Sequence, residues 1–169
     1  GLEVFLRAKM PALKKIGTPI IVSIASEDNP EEFVALAKRL DKIKEVAAIE
    51  LNISCPNIKS LSQAASSSQV KDRGRLISQD PKATYLLVSR VRKVTKKTLI
   101  TKLSPNVTDI TEIATAAQAA GSDALALINT LIGMSIDIRE RRPKIATVTA
   151  GLSGPAIRPI ALRMVWETY

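Results

Sequence analysis

The sequence predicts an α/β domain assembled from parallel βα units. Short β-branched apolar runs alternate with segments of helical periodicity, and the runs themselves are too short to be helices. Most helical segments open on a capping residue or a proline. With 169 residues, 46% of them apolar and 24% charged, the chain is long enough to bury one core.

The first strand is read at Pro19-Ile20-Ile21-Val22-Ser23-Ile24, where β-branched side chains suit a pleated surface. Asn29-Pro30-Glu31-Glu32 then joins a cap, a proline at the first helical position and acids in the first turn, ahead of Phe33, Leu36, Ala37 and Leu40 at helical spacing. The second strand is Ala47 to Leu51, ending in the polar Asn52, and its helix opens at Asp80-Pro81 with Leu87, Val88, Val91 and Val94 on one side. The third run, Thr98 to Leu103, feeds a helix capped near Thr108-Asp109 that carries Ile110, Ile113, Ala114 and Ala117 and stops at Gly121. A fourth strand is read from Ala124 to Ile128, ending in Asn129-Thr130. The last helix is read from about Ser153-Gly154-Pro155, presenting Ile157, Ile160, Ala161 and Met164.

Composition excludes several chemistries. There is no histidine, so Ser-His-Asp and Cys-His nucleophile systems and His-ligated zinc sites are ruled out. The single cysteine, Cys55, rules out an internal disulfide and a Cys-cluster metal site, and no metal is expected. Glu3, Arg7 and Lys9 break the apolar residues of the opening GLEVFLRAKM, which does not read as a signal peptide, and no apolar run reaches the ~18 residues of a membrane span. A soluble, cytoplasmic domain is the expectation.

The net charge of +9 is concentrated. Residues 1–57 balance to zero, residues 58–98 carry ten positive side chains against Asp72 and Asp80, and residues 99–169 contribute one further positive charge. Aromatics make up 3% of the chain, too few for a base-stacking surface, so a solvated basic face or an acidic protein partner is expected rather than nucleic acid.

In parallel α/β folds ligands sit at the carboxyl ends of the strands. The residues expected there are Ser23, Asn52 with Cys55, Lys102, and Asn129 with Thr130. Amides, hydroxyls, one thiol and one ammonium suit a polar, planar, anionic ligand. Taken singly, each equally reads as a strand cap or turn residue; convergence from several strands favours a site.

The most distinctive stretch is ELNISCPN (Glu50 to Asn57), preceded by GTPIIVSIA from Gly17 and followed by KLSPNVTDI from Lys102, LINTLIGM from Leu127 and GLSGPAI from Gly151. In this order and spacing the motifs resemble the class 1 dihydroorotate dehydrogenases, most closely the catalytic subunit of the NAD-linked class 1B enzymes. The resemblance covers nearly the whole chain apart from the loop near 60–79. It implies a TIM (β/α)8 barrel of which this chain supplies about four βα units, strands three to six. Residues 1–169 would then be a single partial-barrel domain, with a Ser-rich, mobile active-site loop at 58–79.

The activity so implied is FMN-dependent oxidation of dihydroorotate to orotate in de novo pyrimidine (UMP) biosynthesis. Cys55 would be the base that removes the C5 proton while the C6 hydride passes to flavin; a free thiol titrates near about 8.5, so this role needs a polar or positive setting. The resemblance assigns Asn52 to flavin and substrate, and Lys102, the backbone of Ile128, Gly154 and Ser23 to the flavin. It assigns Asn129, Thr130 and Asn57 to the substrate. FAD and a 2Fe-2S cluster would belong to a partner electron-transfer subunit, NAD would be the final acceptor, and a homodimer or heterotetramer is implied, with neither nucleic acid nor membrane as partner.

The chain departs from the family pattern at Ser23, where an Asn is usual, at Ala150, which replaces the first glycine of a Gly-Gly-Leu-Ser-Gly stretch, and in a longer, glycine-poor loop after Asn57. Two alternatives stay open: a flavin domain like that of dihydropyrimidine dehydrogenases, and a non-catalytic half-barrel serving assembly. Asn57 after Cys-Pro and the NTLIGM segment favour dihydroorotate.

Overall fold

Four parallel strands, β1 (Ile20–Ile24), β2 (Val46–Asn52), β3 (Thr98–Lys102) and β4 (Ala124–Ala126), pair in chain order in a computed structural model that describes residues 1–26, 29–53 and 76–169. Ahead of them lie two short helices, α1 (Leu2–Ala8) and α2 (Met10–Lys14). Each link between consecutive strands carries a helix: α3 (Pro30–Asp41), α4 (Pro81–Arg92) and α5 (Ile110–Ala119). All three begin as their sequences require, with Asn29, Asp80 and Asp109 accepting hydrogen bonds from first-turn backbone N–H groups. Among the described residues no helix is long and apolar enough to cross a membrane.

Alternation along each strand divides the sheet into two faces. Ile49 and Leu51 of β2 and Leu99 of β3 are fully buried against Phe33, Ala37 and Leu40 of α3 and Leu87, Val88 and Val91 of α4. A second cluster joins Leu103 to Ile110, Ile113 and Ala114 of α5 and to Met164 of α6 (Arg158–Thr168). On the opposite face the register aligns side chains in rungs. Ser23, Glu50, Ile100 and Ala124 form one rung, and Asn52, Lys102 and Ala126 form the next, at the carboxyl ends.

Two expectations need correction, and one further element joins those expected. The N-terminal segment is helical: Leu2, Phe5, Leu6 and Leu13 pack on the first core and Met10 is buried, an amphipathic spacing already present in GLEVFLRAKM. The fourth strand ends at Ala126 rather than Ile128, although the Leu103 N–H still donates to the Ala126 carbonyl (2.9 Å) and the Asn129 N–H to the Leu103 carbonyl (3.0 Å). The last helix does not directly follow that strand. An antiparallel ribbon intervenes, in which β5 (Leu131–Met134) pairs with β8 (Thr149–Leu152) and β6 (Ile136–Asp137) with β7 (Arg142–Pro143). Its strands are two to four residues long, too short to announce a period in the sequence. Of the Ser-rich stretch, residues 58–75 lie outside the described residues, while its end, Ile77–Gln79, is a 3-10 turn packed against α4.

Polar networks fix the entry to β3. Arg92 donates to the Asp123 carboxylate (2.9 Å) and to the carbonyls of Thr95 (2.5 Å) and Lys97 (2.9 Å), and Asp123 accepts the Leu99 N–H (2.8 Å). Asp41, at the end of α3, accepts from the Thr95 hydroxyl (2.7 Å) and the Lys96 N–H (2.8 Å). Those bonds, with the nearby Lys97 charge, hold its carboxyl below the usual range. Gly121 closes α5 with φ +98°, and a Cβ there would meet the Arg92 Cγ at 2.9 Å.

Two stability predictions follow from these networks. Gly121→Ala combines left-handed backbone strain with displacement of Arg92 and should cost about 2 kcal/mol in urea unfolding. Because the folded pKa of Asp41 is depressed, its stabilisation is present above the unfolded carboxyl value and is lost as pH falls through the folded one. Asp41→Asn should therefore flatten the acid limb of the stability profile, and an unchanged slope would contradict this.

Candidate active site

Parallel pairing of β2 with β3 sets Asn52 directly opposite Lys102, on the face away from the helices. Both are half-buried. The Asn129 side chain donates to the Asn52 Oδ1 at 3.4 Å, so the segment after β4 reaches across β3 to the end of β2. Asn129 also accepts the N–H of Thr130 (2.8 Å), which fixes the pair locally. Asn52, Lys102, Asn129 and Thr130, four of the six residues expected there, thus form one rim at the carboxyl ends of the strands.

Lys102 is the exceptional member. Its side chain makes no ion pair or hydrogen bond with the described residues, although it is half-buried. Among the described residues no carboxylate pairs with this ammonium, so the described part of the rim offers positive charge and amide groups that suit an anionic or electron-rich ligand.

The remaining candidates are placed differently. Ser23 lies one rung deeper and exposed, its hydroxyl donating to the Glu50 carboxylate at 2.6 Å. Ile128 belongs to the irregular segment after β4 and packs against the second core cluster. Gly154 is exposed with φ +86° and caps the 3-10 turn Pro155–Ile157 ahead of α6. Cys55 and Asn57 lie outside the described residues. An apolar groove of about 800 Å³ along the outer edge of β1 includes Ser23 but none of the rim residues. Among the described residues no group of three or more acidic, Cys or His side chains could hold a metal ion.

Sequence reasoning missed Glu50, Asn106 and Gly151. Glu50 is legible only through register, as the residue opposite Ser23. Asn106 sits inside KLSPNVTDI, yet nothing in that spacing discloses what its amide touches. Gly151 packs against Thr130 so closely that a Cβ would stand 2.2 Å from the Thr130 Oγ1 and 2.7 Å from its Cβ.

The sequence profile of the dihydroorotate dehydrogenases matches residues 1–169. The chain belongs to the dihydroorotate dehydrogenase family. The catalytic subunits of dihydroorotate dehydrogenase B (NAD(+)) from Geotalea uraniireducens and Geobacter sulfurreducens are 50% and 52% identical to it over 167 residues, 99% of this chain. That alignment covers 50% of each relative, so the chain spans about half the length of the curated relatives it matches. A carboxyl transferase domain of Rhizobium etli pyruvate carboxylase, solved with pyruvate, superposes with a TM-score of 0.50 at 17% identity over 73% of this chain and 19% of that one, a likeness of fold alone. The four βα units are accordingly part of the family's TIM barrel.

The Gly151–Thr130 contact makes a prediction for the rim. Gly151→Ala should displace Thr130 and lower stability by about 1–3 kcal/mol. The loss should shrink when Thr130→Gly is added, because the obstructing side chain is gone. Additive losses in urea unfolding would show that the contact does not constrain Thr130.

Proposed function

We propose that this chain is the central part of a dihydroorotate dehydrogenase catalytic subunit that oxidises dihydroorotate to orotate in pyrimidine biosynthesis, with FMN bound at the rim. The observation that carries the reading is Lys102, a half-buried ammonium in register with the amide of Asn52 at the carboxyl ends of β2 and β3, with no ion pair among the described residues. The donor set fits a flavin: an ammonium and an amide side by side suit the carbonyl-rich edge of its ring system. When bound, FMN supplies the two-electron acceptor for the reaction.

The chain's own residues do the rest. Lys102 stabilises negative charge at the edge of the cofactor, an interaction that strengthens as the charge grows. Asn52 orients both cofactor and substrate, and its contact with Asn129 aligns the two amides. Asn129 and Thr130 hold the substrate, with Asn57 added from the cysteine-bearing connection. Cys55 is the proposed base that takes the C5 proton, a role that a thiol fills as its thiolate. The backbone of Ile128, Gly154 and Ser23 are proposed as further flavin contacts.

The relatives' names give the B form of the enzyme with NAD(+) and speak of a catalytic subunit. Those names support a separate partner subunit and NAD(+) as acceptor. From the motif resemblance we further propose that the partner is an electron-transfer subunit carrying FAD and a 2Fe-2S cluster, that the assembly is a homodimer or a heterotetramer with that subunit, and that it is cytoplasmic.

Anaerobic mixing of the full-length flavoprotein with dihydroorotate tests the reading. The visible flavin band should bleach, Cys55→Ser should slow that bleaching by about 100-fold or more at neutral pH, and Lys102→Met should lower the flavin midpoint potential. Parental bleaching rates in the serine variant would remove Cys55 from its role, and an unchanged potential would remove Lys102.

A further inference from the structure

We propose that Asn106 is a positioning residue that holds the Asn129–Thr130 pair in its ligand-binding conformation; this rests on the reading that the pair binds the substrate. Asn106 lies in the loop between β3 and α5, half-buried behind the buried Ser104 and Pro105. Its Nδ2 donates to the Thr130 carbonyl at 3.0 Å and to the Ser104 Oγ at 3.2 Å, and its Oδ1 accepts the Ile132 N–H at 2.9 Å. One primary amide therefore bridges the two peptide groups that flank Leu131, where the chain leaves the irregular segment and enters β5.

That pairing resembles what a neighbouring strand would provide: a donor and an acceptor, side by side, for two successive backbone groups. Only an amide side chain offers both at this spacing. The backbone of Asn106 is anchored in turn. Its N–H donates to the Ser104 Oγ (3.2 Å) and its carbonyl accepts the Gln79 Nε2 (3.0 Å). Gln79 closes the 3-10 turn where the connection that includes Cys55 re-enters the described structure, and its Oε1 accepts the Leu76 N–H (3.3 Å). Asn106 thus ties the return of the β2–α4 connection to the segment carrying Asn129 and Thr130, without belonging to the rim itself.

If Asn106 positions rather than reacts, its loss weakens ligand binding more than it slows the chemistry. Asn106→Asp preserves shape and the acceptor for Ile132 but turns a carboxylate oxygen toward the Thr130 carbonyl. In the full-length flavoprotein the variant should retain its flavin. The KM for dihydroorotate and the Kd for orotate, read from the flavin spectrum, should each rise about tenfold, while kcat stays within about threefold. Gly121→Ala, destabilised at a remote turn, should leave KM unchanged and so separates positioning from general loss of stability.

Gln79→Glu keeps the acceptor for the Leu76 N–H and replaces the donor to the Asn106 carbonyl with a carboxylate oxygen. It should give a smaller shift of about threefold, and it carries the test should Asn106→Asp fail to fold. Unchanged KM and orotate affinity in these variants, beside a parent that binds orotate, would overturn the inference alone. A parent that neither binds orotate nor oxidises dihydroorotate would overturn the substrate reading and the inference with it.

Discussion

The in-register pairing of β2 with β3 is the constraint on which the rim depends. Side chains alternate along a strand, so a one-residue slip of β3 would turn Lys102 into the helix-facing core and bring Thr101 or Leu103 to the rim. The register is secured from the opposite face, where Ile49, Leu51 and Leu99 are fully buried against α3 and α4. It is secured again at the entry to β3, where Asp123 takes the Leu99 N–H and Asp41 takes the Lys96 N–H. Packing on one side of the sheet thereby decides which chemistry appears on the other.

The rim is completed by backbone that lies outside regular secondary structure. After Ala126 the chain leaves the sheet, yet Asn129 remains bonded to Leu103 through its backbone and to Asn52 through its side chain. Asn106 holds the next peptide groups, and the missing side chain of Gly151 lets the β5–β8 ribbon close over Thr130. A rigid parallel sheet with polar loops at its carboxyl ends is the arrangement by which barrel enzymes separate stability from chemistry.

Much of this was legible in the sequence because the signals were local. The caps at Asn29, Asp80 and Asp109, the β-branched runs and the stop at Gly121 each act within a few residues, and each appears where expected. The polar residues ending β2 and β3, Asn52 and Lys102, stand side by side at the carboxyl ends, as their places in the two runs predict. What stayed hidden depends on contacts distant in sequence: the Ser23–Glu50 bond spans 27 residues, Gln79 to Asn106 another 27, and the Asn129–Asn52 contact 77. The β5–β8 ribbon was missed because its strands are short and stabilised by each other. The N-terminal helices are seven and five residues long, and their apolar spacing in GLEVFLRAKM is interrupted by Glu3, Arg7 and Lys9, which makes so short a period hard to read.

A crystal structure of the full-length protein with FMN and orotate tests the central claim most directly. The account predicts the pyrimidine edge of the flavin within hydrogen-bonding distance of the Lys102 Nζ and the Asn52 amide, with orotate held by Asn129 and Thr130. A flavin seated elsewhere, with Lys102 turned to solvent, would contradict it.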